Sequence, residues 1–384
     1  MSEEVKSDVK LPTGKRLVLS SSPHISTSES VRKIMIKVLI ALLPACVAGV
    51  WFFGLRALLV IILTTVFCVG AEALWCLLAK KPVAHTVGDC SAAVTGVLLA
   101  LNLPPSVPWY VPLIGAFLAI WLGKQVFGGL GCNPFNPALV ARVGLLIAIP
   151  AIMTTWTPPR GMNDENYPAA EVFDIDATTC ATPLGKAGEL QKTIAKEKMA
   201  VASEKDPVKL AESQANLDKA RTDFDKLGEK RLAWRLFWGQ RGGCIGETCA
   251  PALILGALLL FFFNLINWRV PLCFAGTVMV ISGLVHYFLP GVTPPPLFHL
   301  LTGGLLLGAI FMATDMVTCP ITGWGCVVFA IGCGVLTSVI RIWGSYPEGV
   351  SFSILFMNAL VPLIDRWCTD RPFGYVRKRK AEVK

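Results

Sequence analysis

Two consecutive stretches of sequence decide the fold class of this protein. Residues 34–54 read IMIKVLIALLPACVAGVWFFG, and residues 57–79 read ALLVIILTTVFCVGAEALWCLLA. A helix needs about 20 predominantly apolar residues to cross the hydrocarbon core of a bilayer. Each stretch meets this length and contains one charged residue, so the pair predicts two membrane-spanning helices joined by a very short turn.

The remainder of the 384-residue chain has the same character, with 54% hydrophobic and 16% charged residues overall. Soluble proteins contain about 25% charged residues, so this composition excludes a soluble globular protein, a disordered chain and a small disulfide scaffold. Membrane lipid is an expected partner and nucleic acid is not. The predicted fold class is an all-α polytopic membrane protein with about ten transmembrane helices. The eight further candidate spans are 88–103, 108–126, 136–156, 250–268, 270–289, 297–314, 323–343 and 350–367.

Lysine and arginine residues in short loops predict the orientation of these helices. With the N-terminus in the cytoplasm, ten spans return the C-terminus to the same side, and Arg56 is the short-loop exception. The cytoplasmic side then collects Lys80, Lys81, Lys124, Arg142, Arg269 and the basic C-terminal tail. The predicted segments are a cytoplasmic tail (1–33), a five-helix membrane repeat (34–156), an extracytoplasmic loop (157–240), a second five-helix repeat (241–367) and a basic cytoplasmic tail (368–384).

The long loop contains a helical insert at residues 186–232. Leu217, Ala220 and Phe224 recur at helical spacing, and Asp206-Pro207 predicts a break between two helices. We interpret this segment as a solvated helical hairpin inserted into the extracytoplasmic loop.

A weak internal repeat relates the two membrane segments. Residues 93–99 (AVTGVLL) resemble residues 301–306 (LTGGLL), and a segment rich in glycine, proline or polar residues follows each of them, at 128–137 and 314–325. Five spans separate the two copies, and this odd number predicts that the halves are inverted relative to each other. Inverted repeats with short, broken helices usually place a binding site between the repeats.

The two broken segments carry the polar residues that are expected at membrane depth. Asn133 and Asn136 lie in 128–137, where glycine and proline prevent a continuous helix. Their amides suit recognition of a flat heteroaromatic edge, although they could equally satisfy the helix break itself. Asp315 lies in the second segment, and an ionisable residue inside a membrane is a functional candidate by default.

Two further segments flank the long loop. Glu247 lies in Gly243-Cys244-Ile245-Gly246-Glu247-Thr248, just before the sixth span, where it could cap that helix or line a cofactor pocket. Residues 176–182 read DATTCAT, a hydroxyl-rich segment that begins with an aspartate. An Asx or Ser/Thr turn without any catalytic or binding role would account for this composition.

The 13 cysteines lack CxxC spacing and the histidines are scattered, so no metal site is expected. The sequence leaves undecided whether two of Cys180, Cys244 and Cys249 form a disulfide.

Residues 176–182 closely resemble the Asp-x-x-[Ser/Thr]-Gly-Ala-Thr signature at which flavin mononucleotide (FMN) becomes linked through its phosphate to the last threonine. Segments 128–137 and 243–248 are similar to those of the NqrB/RnfD family. That family comprises membrane subunits of ion-translocating NADH:quinone and ferredoxin:NAD oxidoreductases. The short N-terminal tail resembles the RnfD branch, from the Rnf complex, more than the NqrB branch, from the sodium-pumping NADH:quinone reductase.

The resemblance implies a role for each matching residue. Thr182 would carry covalent FMN as a phosphoester in a polar loop, and Asp176 and Thr179 would belong to the signature that a flavin transferase reads. Asn133 and Asn136 would lie near a second, noncovalent flavin, expected to be riboflavin. Cys180 replaces the glycine of the signature. The cofactor-binding candidates are thus Thr182, Asp176, Thr179, Asn133, Asn136, Glu247 and Asp315.

The implied function is electron transfer between ferredoxin and NAD through a multi-subunit complex that drives Na⁺ or H⁺ across the bacterial inner membrane. The implied partners are a second FMN-carrying subunit, iron–sulfur subunits and the flavin transferase. Two alternatives stay open: the quinone-reducing relative, and a flavin-free solute channel on the same scaffold. The threonine signature favours the flavin functions over the channel.

Overall fold

The computed structural model describes residues 29–159, 182–203, 207–289, 291–344 and 348–369, and the regular secondary structure within these ranges is helical. The helices are α1 (Val31–Phe53), α2 (Leu55–Leu78), α3 (Val83–Val87), α4 (Ser91–Leu101), α5 (Tyr110–Phe117, continued by π-helical Leu118–Gln125), α6 (Pro137–Ala148), α7 (Pro150–Met153), α8 (Pro183–Ser203), α9 (Pro207–Lys226), α10 (Lys230–Trp238), α11 (Ala250–Phe262), α12 (Arg269–Phe288), α13 (Pro296–Leu301), α14 (Leu305–Leu307, continued by π-helical Gly308–Met312), α15 (Gly323–Trp343) and α16 (Val350–Trp367).

Five of these helices are long and apolar enough to cross a membrane: α1, α2, α12, α15 and α16. Three shorter apolar helices, α4, α6 and α11, pack among them. Large apolar side chains remain exposed on the outward faces, among them Val47, Leu59 and Leu272. A helix that is apolar on its exposed face as well as its buried face is typical of a membrane span. The protein is therefore an all-helical, multi-pass membrane protein.

The first two helices form the tight pair that the sequence predicts. The Ser30 side chain accepts a hydrogen bond from the Lys33 amide and caps the start of α1. Gly54 ends α1 with a φ of 73°, a conformation that favours glycine, and α2 begins at the next residue. The connection is therefore a single residue, and it holds α1 and α2 side by side.

Two short helices, α4 and α13, end at irregular segments that are largely buried. Helix α4 ends at Leu101, and the chain continues without regular structure until Tyr110. Helix α13 ends at Leu301, and Gly303 and Gly304, both with a φ of 65°, redirect the chain into α14. The two irregular segments meet, because Asn102, Gly303 and Gly304 line one small pocket. Backbone carbonyls at these breaks need donors from elsewhere in the protein.

The insert forms a helical hairpin. Helices α8 and α9 pack against each other around Ile194, Leu217, Ala220 and Phe224, which include the residues with helical spacing in the sequence. Proline at position 207 begins α9, at the expected break. The base of the hairpin is attached to the membrane helices through a second apolar cluster, which contains Leu184, Ala187, Leu236, Ala250, Phe298 and Leu301.

Candidate functional site

A cavity lies between the two broken segments and contains three of the residues singled out from the sequence: Asn133, Asn136 and Asp315. We call it the Asn133 cavity. It holds about 850 Å³ of space that protein atoms do not fill, part of it open to the surroundings. Small-molecule sites typically combine apolar walls with a few polar groups. The apolar wall here includes Met35, Val38, Leu98, Leu260, Leu265 and Phe311, and the further polar residues are Ser91, Thr95, Lys124 and Thr314.

The two asparagines of this cavity have different hydrogen-bonding roles. The Asn136 side chain accepts from the Ala138 amide at 3.1 Å, which caps α6, and donates to the Met312 carbonyl at 3.3 Å. Asn133 donates to the Phe135 carbonyl at 3.0 Å, and its buried Oδ1 meets no donor among the residues that the structure describes. The helix break therefore explains Asn136 but leaves an acceptor of Asn133 available to a ligand.

Asp315 also lines this cavity, in the non-helical segment between α14 and α15. Its carboxylate accepts a hydrogen bond from the Thr318 hydroxyl at 3.3 Å, and its carbonyl accepts from the Cys319 amide at 3.0 Å. Asparagine and aspartate residues from the two broken segments thus line one cavity.

Lys124, which the sequence counts among the cations of the cytoplasmic side, lines this cavity, and the sequence did not predict its burial. Its side chain is 1% exposed, in the π-helical continuation of α5, and its ammonium donates to Glu72 and, at 2.6 Å, to the Ser91 hydroxyl. Its partner Glu72 is fully buried on α2 and also accepts a hydrogen bond from the Gln125 side chain at 2.9 Å. The feature of the sequence that indicates this ion pair is the presence of one charged residue within each of two apolar runs.

A second polar region lies at the helix breaks, and we call it the Glu348 cluster. Its charged members are Arg142, Arg241, Arg341, Glu247 and Glu348. Arg341 donates to the carbonyls of His299, Thr302 and Gly303 at 2.7, 3.0 and 2.8 Å. Arg241 donates to the carbonyls of Leu301 and Glu247. The two guanidinium groups thus supply the donors that the interrupted helix α13 lacks.

Arg142, which the sequence counts among the cations of the cytoplasmic side, is buried within this cluster and therefore gives no support to the predicted orientation. It is buried on α6, donates to the Asn102 carbonyl at the end of α4 and forms an ion pair with Glu348 at 2.8 Å. Burial and the neighbouring charge of Glu247 raise the pKa of Glu348, which lies in the loop between α15 and α16, to about 7, although Arg142 opposes the shift.

Glu247 lies in the Glu348 cluster and not in the Asn133 cavity. Its carboxylate accepts from the Cys244 amide at 2.8 Å, within its own turn. The expectation that Glu247 could cap the following helix is wrong, because α11 begins after Cys249 without a side-chain cap. Cys244 and Cys249 are free thiols in the structure. Cys180 lies outside the described residues.

Thr182 marks the start of α8, whereas Asp176 and Thr179 lie outside the described residues. The Thr182 hydroxyl oxygen accepts from the Gly185 amide at 3.0 Å, and the Thr182 carbonyl accepts from the Lys186 amide at 2.9 Å. The side chain is 7% exposed, so the expectation of a polar loop position is wrong: Thr182 is a buried helix cap. Leu184 packs against Gly303 beside Arg341, which places the start of α8 next to the Glu348 cluster.

Comparison with known proteins assigns the chain to a family. A family model described as "NQR2, RnfD, RnfE family" matches residues 18–374, which include every membrane helix described above. The chain belongs to this family. The match includes the Asn133 cavity, the Glu348 cluster and Thr182.

Relatives of this NQR2, RnfD, RnfE family member are similar over nearly their full length. The D component of the proton-translocating ferredoxin:NAD(+) oxidoreductase complex of Clostridium ljungdahlii is 41% identical over 93% of this chain and 96% of its own. The D component of the Na(+)-translocating complex of Acetobacterium woodii is 40% identical over 96% and 98%. The D component of the ion-translocating oxidoreductase complex of Stutzerimonas stutzeri is 41% identical over 90% and 93%.

Proposed function

We propose that this protein is the flavin-carrying membrane subunit of an Rnf-type, ion-translocating ferredoxin:NAD oxidoreductase complex. It would carry covalent FMN on Thr182 and riboflavin in the Asn133 cavity. The observation that carries the proposal is the convergence of Asn133, Asn136 and Asp315 from two broken segments on one cavity. A bound flavin supplies reversible electron transfer, and the protein residues position it and exclude water.

The lining of the Asn133 cavity supports riboflavin as its ligand. Its apolar walls can cover the faces of the ring, and the unsatisfied Oδ1 of Asn133 can accept from the ring N–H. Lys124 adds a buried ammonium to the lining of this cavity, where it can stabilise negative charge on a bound group. Ser91 and Glu72 hold this ammonium in place.

The position of Thr182 suits a phosphoester. An ester oxygen at this position would place the phosphate at the N-terminus of the 21-residue helix α8, where the helix dipole favours an anion. Because Thr182 is buried, the flavin transferase would act before α8 docks on the membrane helices, or on a locally opened form.

Helix packing supports two inverted five-helix repeats with short broken helices. Helix α2 packs on α4 and α5, and α12 packs on α13 and α15 in the corresponding way. Helices α1 and α11, which would begin the two repeats, pack against each other. In this arrangement the ten predicted spans correspond to α1, α2, α4, α5, α6, α11, α12, α13 with α14, α15 and α16.

Exposed aromatic residues support the same topology, because tryptophan and tyrosine concentrate at the two surfaces of a membrane. One level contains Trp51, Trp109, Tyr110, Tyr287 and Trp343, at helix ends that ten alternating spans would place on the extracytoplasmic side. The other level contains Trp268, Trp324 and Trp367, at helix ends on the cytoplasmic side. Exposed Lys80, Lys81 and Arg269 favour cytoplasmic termini.

The partners and location follow from the proposed complex. The protein would lie in the bacterial inner membrane beside a second FMN-carrying subunit and iron–sulfur subunits. The transported ion is either Na⁺ or H⁺, because two relatives that are about equally similar to this chain are named for different ions.

The decisive test is in-gel flavin fluorescence after co-expression with a flavin transferase, followed by peptide mass spectrometry. Wild type should fluoresce after denaturation, and Thr182→Val should be dark because valine has no hydroxyl to esterify. Thr193→Val, on the same helix, is the matched control and should fluoresce. A bright Thr182→Val band would exclude this attachment site, and a dark wild type that Cys180→Gly restores would identify the altered signature as the cause.

A further inference from the structure

Helix α10 has an exposed face that none of the flavin roles uses. Lys230, Trp234 and Trp238 follow each other at intervals of four residues, and Arg231 lies beside them on the exposed surface. Trp234 is 63% exposed and Trp238 is 48% exposed. Their rings touch edge to face with centroids 5.8 Å apart, and Trp234 also stacks on Phe237 at 6.0 Å. The result is a compact aromatic surface preceded by two cations.

The opposite face of α10 is fixed to the membrane helices. Leu236 is buried in the apolar cluster that contains Leu184, Phe298 and Leu301. Leu184 belongs to the first turn of α8, two residues after Thr182. The position of α10 therefore determines the position of the turn that begins at Thr182.

The C-terminal end of α10 identifies the level at which this surface lies. Gly239 ends the helix with a φ of 95°, and a Cβ there would lie 3.0 Å from the ring of Phe52. Phe52 lies at the end of α1, next to Trp51, whose side chain is 78% exposed. The C-terminal end of α10, which follows Trp238, thus lies against the last turn of a membrane-spanning helix that also carries an exposed tryptophan, the arrangement expected of an aromatic belt.

The charges of α10 are also unusual for a helix in water. Lys230 and Arg231 occupy the first turn, where the helix dipole disfavours cations, and this turn contains no acidic residue. The N-cap residue Glu229 makes no side-chain capping hydrogen bond. Anionic groups outside the helix would offset this arrangement, and the headgroup layer beside the aromatic belt provides them.

We propose that α10 lies in the extracytoplasmic headgroup layer of the membrane. Trp234 and Trp238 insert into the interface, and Lys230 and Arg231 bind anionic lipid phosphates. Helix α10 thereby holds the first turn of α8, and with it Thr182, at a fixed height above the bilayer. The inference rests on the proposed topology and requires no bound flavin.

Photo-cross-linking in the complete complex in its native membrane tests this placement. p-Benzoylphenylalanine is introduced at position 234 or 238, and mass spectrometry after irradiation identifies the adducts. Lipid adducts are expected at both positions and at position 51, and none at position 212 on α9. Adducts to another subunit at 234 and 238 would overturn the proposal, as would their absence while position 51 reacts. Flavin content is measured separately, so failure of the flavin assignment would not change the interpretation of the lipid cross-links.

Charge reversal tests the recognition of anionic lipid. In nanodiscs with equal phosphatidylglycerol and phosphatidylcholine, position 238 should cross-link preferentially to phosphatidylglycerol. Lys230→Glu/Arg231→Glu should lower this preference by about fivefold or more, because each interfacial cation contributes a factor of about five. Lys192→Glu/Lys196→Glu, exposed on the hairpin, is the matched control and should change nothing. An unchanged ratio in the α10 variant would overturn the proposal.

Discussion

The Asn133 cavity and the Glu348 cluster both bury polar groups beside interrupted helices, but the two regions use them differently. In the Glu348 cluster, Arg142, Arg241 and Arg341 donate to backbone carbonyls that the helix breaks leave free. In the Asn133 cavity, apolar walls surround a few polar groups, and the Oδ1 atom of Asn133 meets no donor within the described part of the chain.

This difference separates residues that hold the fold from residues that can recognise a ligand. A buried guanidinium that serves several carbonyls stabilises the protein, and its removal leaves those carbonyls unsatisfied. A buried acceptor without a donor costs stability unless a ligand supplies the missing hydrogen bond. Variants in the cluster should therefore change stability first, and variants in the cavity should change ligand content first.

The largest effect is expected at Arg341. Arg341→Met should remove the donors to His299, Thr302 and Gly303 and cost about 3–5 kcal/mol of stability. The measurement is the thermal transition of the detergent-solubilised protein, followed by size-exclusion chromatography. Arg366→Met changes an exposed arginine and should leave the transition within about 1 kcal/mol of wild type. Normal stability of Arg341→Met would show that the cluster does not support the break.

The sequence indicated these two regions to different degrees. Glycine and proline between apolar runs identify the break around Asn133 and Asn136, because local backbone chemistry alone excludes a helix there. Arg341 gave no comparable signal, because its partners lie in another helix, about 40 residues away along the chain. Contacts across such distances depend on tertiary packing, which a local pattern does not contain.

The same limit explains why the sequence did not predict the burial of Lys124 and Thr182. Lys124 lies at the end of an apolar run, and the π-helical turn directs it onto Glu72 of α2. Thr182 lies in a polar stretch, but Leu184 of the same turn docks against Gly303 and Thr182 is buried. The hairpin was easier to predict because α8 and α9 carry their own apolar spacing and a proline break.

A pH effect of intermediate size is expected from Glu348. Because its pKa is about 7 in the folded protein and near 4.5 ordinarily, its contribution to stability is present below pH 4.5 and is lost as the pH rises to about 7. The loss amounts to about 3 kcal/mol, and little further change follows above that pH. Thermal transitions between pH 4.5 and 8 should fall in wild type relative to Glu348→Gln, which cannot ionise.

Glu189→Gln is the control for this pH series, because Glu189 is exposed on the hairpin. It should follow the wild-type curve. Parallel curves for wild type and Glu348→Gln would mean that the carboxyl does not titrate in this interval, and the cluster would then be no more pH-sensitive than the cavity.

A smaller effect on stability, but a clear effect on ligand content, is expected at Asn133. Asn133→Ala should lower noncovalent flavin by about tenfold or more, because the ring loses an acceptor worth about 1.4 kcal/mol or more in a buried site. The covalent flavin on Thr182 should be unchanged. Flavin released by acid precipitation and identified by chromatography provides the measurement, normalised to the covalent flavin that stays with the protein.

Asn358 provides the matched control for a buried amide. It lies on α16 with both amide atoms lacking partners among the described residues, and it does not line the Asn133 cavity. Asn358→Leu should raise the thermal transition, since an unsatisfied buried amide costs about 1–3 kcal/mol, and leave both flavins in place. If Asn133→Ala behaved in the same way, with higher stability and unchanged flavin, the contrast between cavity and cluster would fail.

The smallest and most selective effect is expected at Gly185. The test compares Gly185 with Gly188, a second glycine of helix α8. A Cβ at Gly185 would lie 3.2 Å from the Thr182 hydroxyl oxygen, whereas one at Gly188 would meet nothing within 4 Å. Alanine at either position should stabilise α8 by about 0.5–1 kcal/mol. Gly185→Ala alone should crowd the ester and lower flavinylation by about twofold to fivefold at limiting transferase, consistent with roughly 0.5–1 kcal/mol of strain. Equal flavinylation of both variants, read as in-gel fluorescence per mole of protein, would show that access to Thr182 does not depend on this close approach.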